Sequence, residues 1–436
     1  MANRIGIRLE DKNTWERRAP LTPDAVRQLS SQGVEVLVER FAGRVFPDAA
    51  YAEAGAALDG DVRDCEVVLG IKEMPTRCFR PGGAYFFFSH TIKGQPYNMD
   101  MLRSLVERGC TLLDYELVTD AEGRRLIFFG RFAGIAGMID TLWALGRRLE
   151  ALGHRTPFQE LKPTHEYPDL GTAKAAVSRI GQRIATEGLP EFLRPMVVGF
   201  TGYGHVSRGA QEVFDLLPHI GVTPDRLEDF MEQGGAPGEV LAKVVYKEEH
   251  LVEPVDAARP FDLQHYYDHG EQYRSRFGPH LRWLTVLVNG IFWAPKYPKL
   301  ADAEQLRSLF SGVEAPRLFV VGDITCDVDG SLACTVRDTG PGDPVYVYDP
   351  ATRTATSGFE GPGLAVMAVG NLPCELPREA SETFSEALLP FIPALAGANL
   401  AGDLEDAGLP DPIRRSVILW RGEFPSAFSY MGDFLR

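Results

Sequence analysis

The 436-residue chain is poor in cysteine, in basic charge and in long apolar runs, and each shortage excludes something. Its six cysteines, Cys65, Cys78, Cys110, Cys326, Cys334 and Cys374, contain no Cys-x-x-Cys pair. That scatter argues against a disulfide framework or a zinc knuckle and predicts buried thiols in a reducing compartment. Lys and Arg number 45 against 60 Asp and Glu, a net charge of −15. Such a balance speaks against a general nucleic-acid or anionic-membrane surface, though a local basic pocket for small anions remains compatible with it. No run reaches membrane-span length and residues 1–8 hold no apolar signal region, so no membrane partner and a cytoplasmic location are expected. Internal repeats and low-complexity tails are missing too.

What remains is an ordinary globular composition, 44% apolar and 24% charged, in a chain long enough for two or three domains with full cores. Residues 196–200, Met-Val-Val-Gly-Phe, form a short β-branched run that predicts a buried parallel strand. Thr201-Gly202-Tyr203-Gly204-His205-Val206-Ser207 follows at once, and residues 209–214 continue as a helix. Strand, glycine turn and helix form the context of a dinucleotide fingerprint. Gly202 permits the tight turn, Gly204 lets the backbone approach a pyrophosphate, and the helix N-terminus offers N–H groups to the anion. Ser207 replaces the usual third glycine and is still small. A carboxylate about 20 residues on would bind the ribose hydroxyls of NAD and repel the extra phosphate of NADP. The second strand is expected at residues 219–223, ending in Pro224 with no acid at its tip and Asp225 and Arg226 next. This leans toward NADPH/NADP+, with NADH still open.

Before the fingerprint, strands are expected at residues 5–8, 34–38, 67–71, 84–88 and 111–115. They alternate with helices from Thr22 to about Gln32, around 49–54 and at 99–108. That alternation predicts a parallel α/β sheet with right-handed crossovers. Lys72, Glu73, His90, Tyr115 and Glu116 all fall at or just past C-terminal strand ends, where open α/β sheets bind ligands. A lone Lys or Glu there would be an ordinary surface residue; the shared placement is what marks them. Residues 132–152 form a long apolar helix with embedded small residues, better explained as a buried interdomain helix than as a membrane span. Residues 170–187 form an amphipathic helix. Strands are also expected at 285–290, 318–323, 345–348 and 365–369, and a helix from about Arg378 toward Ile392. His265 and His269 have metal-ligand spacing but no adjacent carboxylate, so a surface loop is expected and no metal. Asp323, Asp327 and Asp329 imitate a calcium loop without its closing Glu.

Several stretches carry a more specific likeness. They are Trp15-Glu16-Arg17-Arg18-Ala19-Pro20-Leu21-Thr22-Pro23, Gly70-Ile71-Lys72, Phe86-Phe87-Phe88-Ser89-His90-Thr91-Ile92-Lys93 and Leu113-Asp114-Tyr115-Glu116. With them go Phe132-Ala133-Gly134-Ile135-Ala136-Gly137, the fingerprint, Asn289-Gly290-Ile291-Phe292-Trp293 and Asn371-Leu372-Pro373. Through these the chain resembles, nearly end to end, the lysine–ketoglutarate reductase domain of bifunctional aminoadipic semialdehyde synthases. More distantly it resembles fungal saccharopine dehydrogenases and alanine dehydrogenases. The second, saccharopine-oxidising half of the bifunctional enzymes has no counterpart in it.

The resemblance implies two Rossmann-like α/β domains with parallel sheets and an active-site cleft between them. The first would be discontinuous, residues 1–135 plus about 370–436, and the nucleotide domain would be 136–369. It implies NADPH-dependent reductive condensation of L-lysine with 2-oxoglutarate to saccharopine. Lys72 and His90 would be the acid–base residues. Arg18 would bind a substrate carboxylate, with Arg17 second to it, and Glu73, Tyr115 and Glu116 would also line the substrate site. The cofactor set would be Gly202, Gly204, His205, Val206, Ser207, Asp323, Asn371 and Leu372. A related amino-acid dehydrogenase with another amine and oxo acid, or a silent nucleotide-binding homologue, are the competing expectations. Small molecules are the expected partners, and a homo-oligomer is left open.

Overall fold

The computed structural model describes residues 3–312 and 316–436. The chain divides into two compact units, Met1–Phe129 with Pro377–Arg436, and Gly130–Leu376. In the first unit β1 (Arg4–Ile7) leads to α1 (Pro23–Ser31), β2 (Glu35–Val38) and α2 (Asp48–Glu53). Then follow β3 (Val67–Leu69), β4 (Ala84–Phe87), α3 (Met99–Glu107) and β5 (Thr111–Asp114). The hydroxyl of Thr22 caps α1 through the Ala25 amide at 3.2 Å, Pro23 opens it, and Gly33 follows its end at φ +78°. Strands β3, β4 and β5 are buried along their whole length, which is why they lack polar alternation.

These strands are parallel and run in the order β5-β4-β3-β1-β2. The chain winds outward from β1 to β2 and then returns to place β3 on the other side of β1. The β1/β3 boundary is therefore a topological switch point, outside whose carboxyl ends such sheets bind ligands.

The second unit opens with α4 (Gly130–Ala151), α5 (Leu170–Glu187), β6 (Val197–Thr201), α6 (His205–Phe214) and β7 (His219–Gly221). It continues through α7 (Leu227–Glu232), β8 (Leu241–Tyr246), α8 (Glu248–Leu251), β9 (Val252–Pro254), α9 (Leu263–Asp268) and β10 (Tyr273–Ser275). The remaining elements are β11 (Val286–Asn289), α10 (Ala303–Phe310), β12 (Val320–Asp323), β13 (Val345–Asp349), β14 (Thr354–Ser357) and β15 (Leu364–Met367). The main sheet has the order β14-β13-β15-β12-β11-β6-β8-β7. It is parallel from β7 to β15, whereas β13 and β14 run antiparallel, so the sheet is mixed rather than purely parallel. The segment expected as a surface loop around His265 and His269 is instead α9, flanked by the antiparallel pair β9 and β10.

Small residues in α4 let it pack closely within this unit. A Cβ on Gly134 would stand 1.9 Å from the Val206 carbonyl oxygen, and one on Gly209 2.1 Å from that of Arg131. Only glycine fits where α4 and α6 cross. No described helix is long and apolar enough to cross a membrane.

The C-terminal return consists of α11 (Pro377–Leu388), shorter turns and β16 (Val417–Leu419). Sequence patterning predicts the helix but not the strand, which pairs antiparallel with β5 at the edge of the first sheet. Ser381 and Ser385, one turn apart on α11, accept the Ala19 and Thr22 amides at 2.9 and 3.0 Å. Residues distant in sequence are thereby tied to the segment that carries Arg18.

Candidate active site

In the first unit, side chains from several strand ends meet at the switch point. Glu10 follows β1 and is buried; its carboxylate accepts the Ile71 and Lys72 amides at 2.6 and 3.1 Å, holding the turn after β3. Burial, with the charge of Glu16 adding to it, pushes the Glu10 carboxyl up to about 7. Glu16 and Arg18 are both buried and form a bidentate pair, with Arg18 Nε and Nη2 donating to the carboxylate at 2.7 and 2.5 Å. The guanidinium lies 4.2 Å from the centre of the Phe129 ring. Arg17, by contrast, is exposed and donates to the Gly43 carbonyl.

Lys72 has no ion-pair partner among the described residues. Burial and then the positive charge of Arg18 lower its ammonium below the usual value, against the opposing pull of Glu16 and Glu73. Next along the chain, Glu73 reaches His90 Nδ1 at 2.7 Å with one oxygen and Lys12 Nζ at 2.6 Å with the other. Burial alone would raise the Glu73 carboxyl. The bond and charge of His90, then those of Lys12, outweigh it and hold the group well below the carboxylate range.

His90 stands at φ +48°, in the left-handed region that few non-glycine residues adopt. Its turn is clamped: buried Asn98 donates to the Ser89 and His90 carbonyls at 3.0 and 3.1 Å, and buried Asp114 accepts the Ser89 amide and hydroxyl at 3.0 and 2.5 Å. The backbone is thus held so that the imidazole meets Glu73. The pair has the form of a carboxylate-oriented general base, with Nε2 making no hydrogen bond among the described residues.

Two candidates fall outside this group. Tyr115 is fully buried among Phe86, Phe88 and Phe384, and its hydroxyl has no hydrogen-bond partner among the described residues. Glu116 pairs with Arg125.

The second unit's candidate site is made of backbone. Strand β6 gives way to Gly202 at φ +81°. The helix starts at His205, four residues earlier than the sequence pattern suggests, with Gly204 as an N-cap that supplies no side chain. A Cβ on Gly204 would meet nothing within 4 Å, so open space lies over this helix end, as a pyrophosphate would require. Ser207 is buried and its hydroxyl accepts from Gln211 Nε2 at 3.0 Å, while Val206 is half-buried. These residues fit a dinucleotide.

Asp323, Asn371 and Leu372 are placed differently. Asp323 is buried and engaged by Asn289, Thr325 and Thr335, in a network that also ties Thr201 on β6 to Asn289 on β11. Leu372 is buried against Gly137 of α4, and Asn371 precedes the turn that contains it.

One expectation needs correcting. The strand at His219–Gly221 is not the neighbour of β6; it forms the sheet edge, paired only to β8. The neighbour of β6 is β8, in register Thr201 opposite Tyr246. The residues beyond Tyr246, Lys247, Glu248 and Glu249, therefore flank the glycine turn, whereas Pro224, Asp225 and Arg226 follow the edge strand and give no ground for NADP over NAD.

Known proteins match the chain in sequence and in fold. Residues 6–136 match the alanine dehydrogenase/PNT N-terminal domain family. The chain is 37% identical over 443 residues to the alpha-aminoadipic semialdehyde synthase of Arabidopsis thaliana. The likeness to this synthase runs over nearly the whole chain. The match covers 98% of this chain but 41% of the Arabidopsis protein, so the chain spans less than half of that relative. The saccharopine dehydrogenase [NAD(+), L-lysine-forming] of Emericella nidulans is 28% identical over 410 residues, covering 90% of this chain and 92% of its own. In fold the chain is similar to a solved L-alanine dehydrogenase, with a TM-score of 0.63 at 20% identity over 99% of this chain and 100% of that one.

Sequence patterning missed Glu10, Lys12, Asn98 and the positioning role of Asp114. Glu10 and Lys12 obey the same strand-end rule that marks Lys72, applied to β1; Asn98 gives no local signal, because its partners are carbonyls of a turn whose shape only the fold defines.

Proposed function

We propose that the chain is a nicotinamide-dependent lysine–2-oxoglutarate reductase, an oxidoreductase of CH–NH bonds that joins the two substrates reductively into saccharopine. The observation that carries this is the Lys72–Glu73–His90 group beside the buried Glu16–Arg18 pair at the β1/β3 switch point. The homology to semialdehyde synthases over 98% of the chain, and the name of the Emericella nidulans relative, supply the substrate class.

Condensation requires an uncharged amine to attack a keto carbon, a proton to reach the carbinolamine oxygen, and water to leave. Lys72, its ammonium destabilised by burial and by Arg18, gives up a proton more readily than a solvent-exposed lysine. His90, oriented by Glu73, is the second proton carrier. Arg18, fixed by Glu16, provides the charge that holds a substrate carboxylate. Glu73 keeps its charge and fixes the imidazole of His90 through Nδ1. On the second unit, Gly202, Gly204 and the amides at the start of α6 would hold the pyrophosphate of the dinucleotide, which supplies the hydride that reduces the imine.

The test is dinucleotide oxidation by the purified protein with lysine and 2-oxoglutarate, each omitted in turn, and identification of the product by mass. A rate that needs both substrates and yields saccharopine is the expected result. A rate with a different amine or oxo acid, and none with this pair, overturns the substrate assignment while keeping the hydride chemistry.

A further inference from the structure

We propose that Glu10 is a positioning residue for Lys72 that works only as a carboxylate, so that turnover is lost when it takes up a proton. The inference rests on the acid–base role of Lys72 proposed above.

Three observations carry it. First, the buried Lys72 ammonium has no ion-pair partner among the described residues, so its place follows from the backbone it leaves. That backbone is held by Glu10, whose two oxygens accept the Ile71 and Lys72 amides at 2.6 and 3.1 Å. The Ile71 carbonyl in turn accepts the Phe88 amide at 3.1 Å, two residues before His90. One carboxylate thus fixes the turn that carries Lys72 and joins it to the segment that carries His90.

Second, the turn is built for the ionised form. Glu10 makes no other hydrogen bond among the described residues. The charged and titratable groups facing it are Arg8, Arg44, Glu16 and Tyr115. The two arginines can only donate, and Glu16 is engaged by Arg18. The Tyr115 hydroxyl bonds to nothing described. A proton on Glu10 would turn one of its two acceptors into a hydroxyl, weakening that amide bond, and would itself be buried without an acceptor.

Third, that proton is exchanged near neutrality, because burial and then the charge of Glu16 push Glu10 up to about 7. The folded state binds this proton more tightly than the unfolded chain, so its stabilising effect is complete in acid and fades as pH rises through about 7. Turnover needs the opposite form. Activity and stability therefore move in opposite directions across this range.

The test is turnover with lysine and 2-oxoglutarate against pH for wild type, Glu10→Gln, Glu10→Asp and Lys72→Met, with melts and dinucleotide affinity on the same preparations. Glutamine cannot ionise and sets an NH2 against a backbone amide. Its kcat should fall at least about 10-fold with dinucleotide affinity unchanged, and the acidic limb should lose one ionisation. Aspartate keeps the charge one methylene short of the amides, so kcat should fall while the acidic limb keeps its ionisation. If Glu10→Gln does not fold, Glu10→Asp decides by itself. Wild-type kcat in a folded variant, an acidic limb unchanged in Glu10→Gln, or an ionisation missing in Glu10→Asp overturns the positioning role and leaves Lys72 in place. Wild-type turnover in Lys72→Met instead overturns the acid–base reading, and this inference with it.

Discussion

The two units present ligands with opposite materials. The first offers ionisable side chains brought from several strand ends and wired to one another, Glu10, Glu16, Arg18, Lys72, Glu73 and His90. The second offers a bare glycine turn and an uncapped helix end. One arrangement suits proton transfer, which needs groups with shifted affinities in fixed orientation. The other suits anion binding, which needs backbone amides and room. The difference also decides how each site breaks. Side chains in a wired cluster cannot be removed without disturbing their partners, whereas a glycine facing open space can be changed with little effect on the fold.

The largest expected effect is on chemistry. Lys72→Met should lower kcat by about 10²–10⁴ with dinucleotide affinity unchanged, measured by steady-state assay and calorimetry on one preparation. Retained turnover would remove Lys72 from the acid–base pair. Next comes Glu16→Gln, which leaves the buried Arg18 guanidinium without its carboxylate. Denaturant unfolding should show a loss of about 3–5 kcal/mol, and a loss below 1 kcal/mol would mean that solvent reaches the pair.

A third test uses pH. In the second unit buried Glu375 accepts the His165 amide at 3.2 Å and interacts with buried Asp140; burial pushes Glu375 up to about 7 and also raises Asp140. The folded state therefore holds a proton that the unfolded chain has released above its own, lower pKa. The stability from this group is complete in acid and fades as pH rises through about 7. Relative to Glu375→Gln, the wild type should lose on the order of 2–3 kcal/mol between pH 5 and 8, followed by thermal melts. A parallel pH dependence in the two proteins would contradict the shift. The smallest expected change in fold comes from Gly204→Val, whose side chain meets no protein atom near its Cβ. The melting temperature should barely move while dinucleotide affinity drops at least about 10-fold, or about 1.4 kcal/mol.

The same contrast explains what the sequence could reveal. A strand, a glycine turn and a helix are consecutive, so the fingerprint was legible from residues 196–214 alone; only the helix start was misplaced, since Gly204 as N-cap brings His205 into the helix. Lys72, Glu73 and His90 were legible because each ends a buried run. Their mutual contacts were not, because they depend on the order in which strands lie in the sheet. The same cause misdirected the cofactor argument. His219–Gly221 is the next strand in sequence after α6, but the main-chain pairing places Leu241–Tyr246 beside β6 and sends β7 to the edge. Strand β16 is three residues of Val-Ile-Leu with no periodicity to read, and its partner β5 lies far back in the sequence, Val417 pairing with Leu113.

The most direct test of the division of labour is a paired measurement on His90→Gln, turnover with lysine and 2-oxoglutarate alongside dinucleotide affinity. The prediction is wild-type affinity with turnover reduced at least about 100-fold, because the proton carrier lies in the first unit and the dinucleotide site in the second. Turnover at the wild-type rate would contradict the assignment of the Glu73–His90 pair to the chemistry.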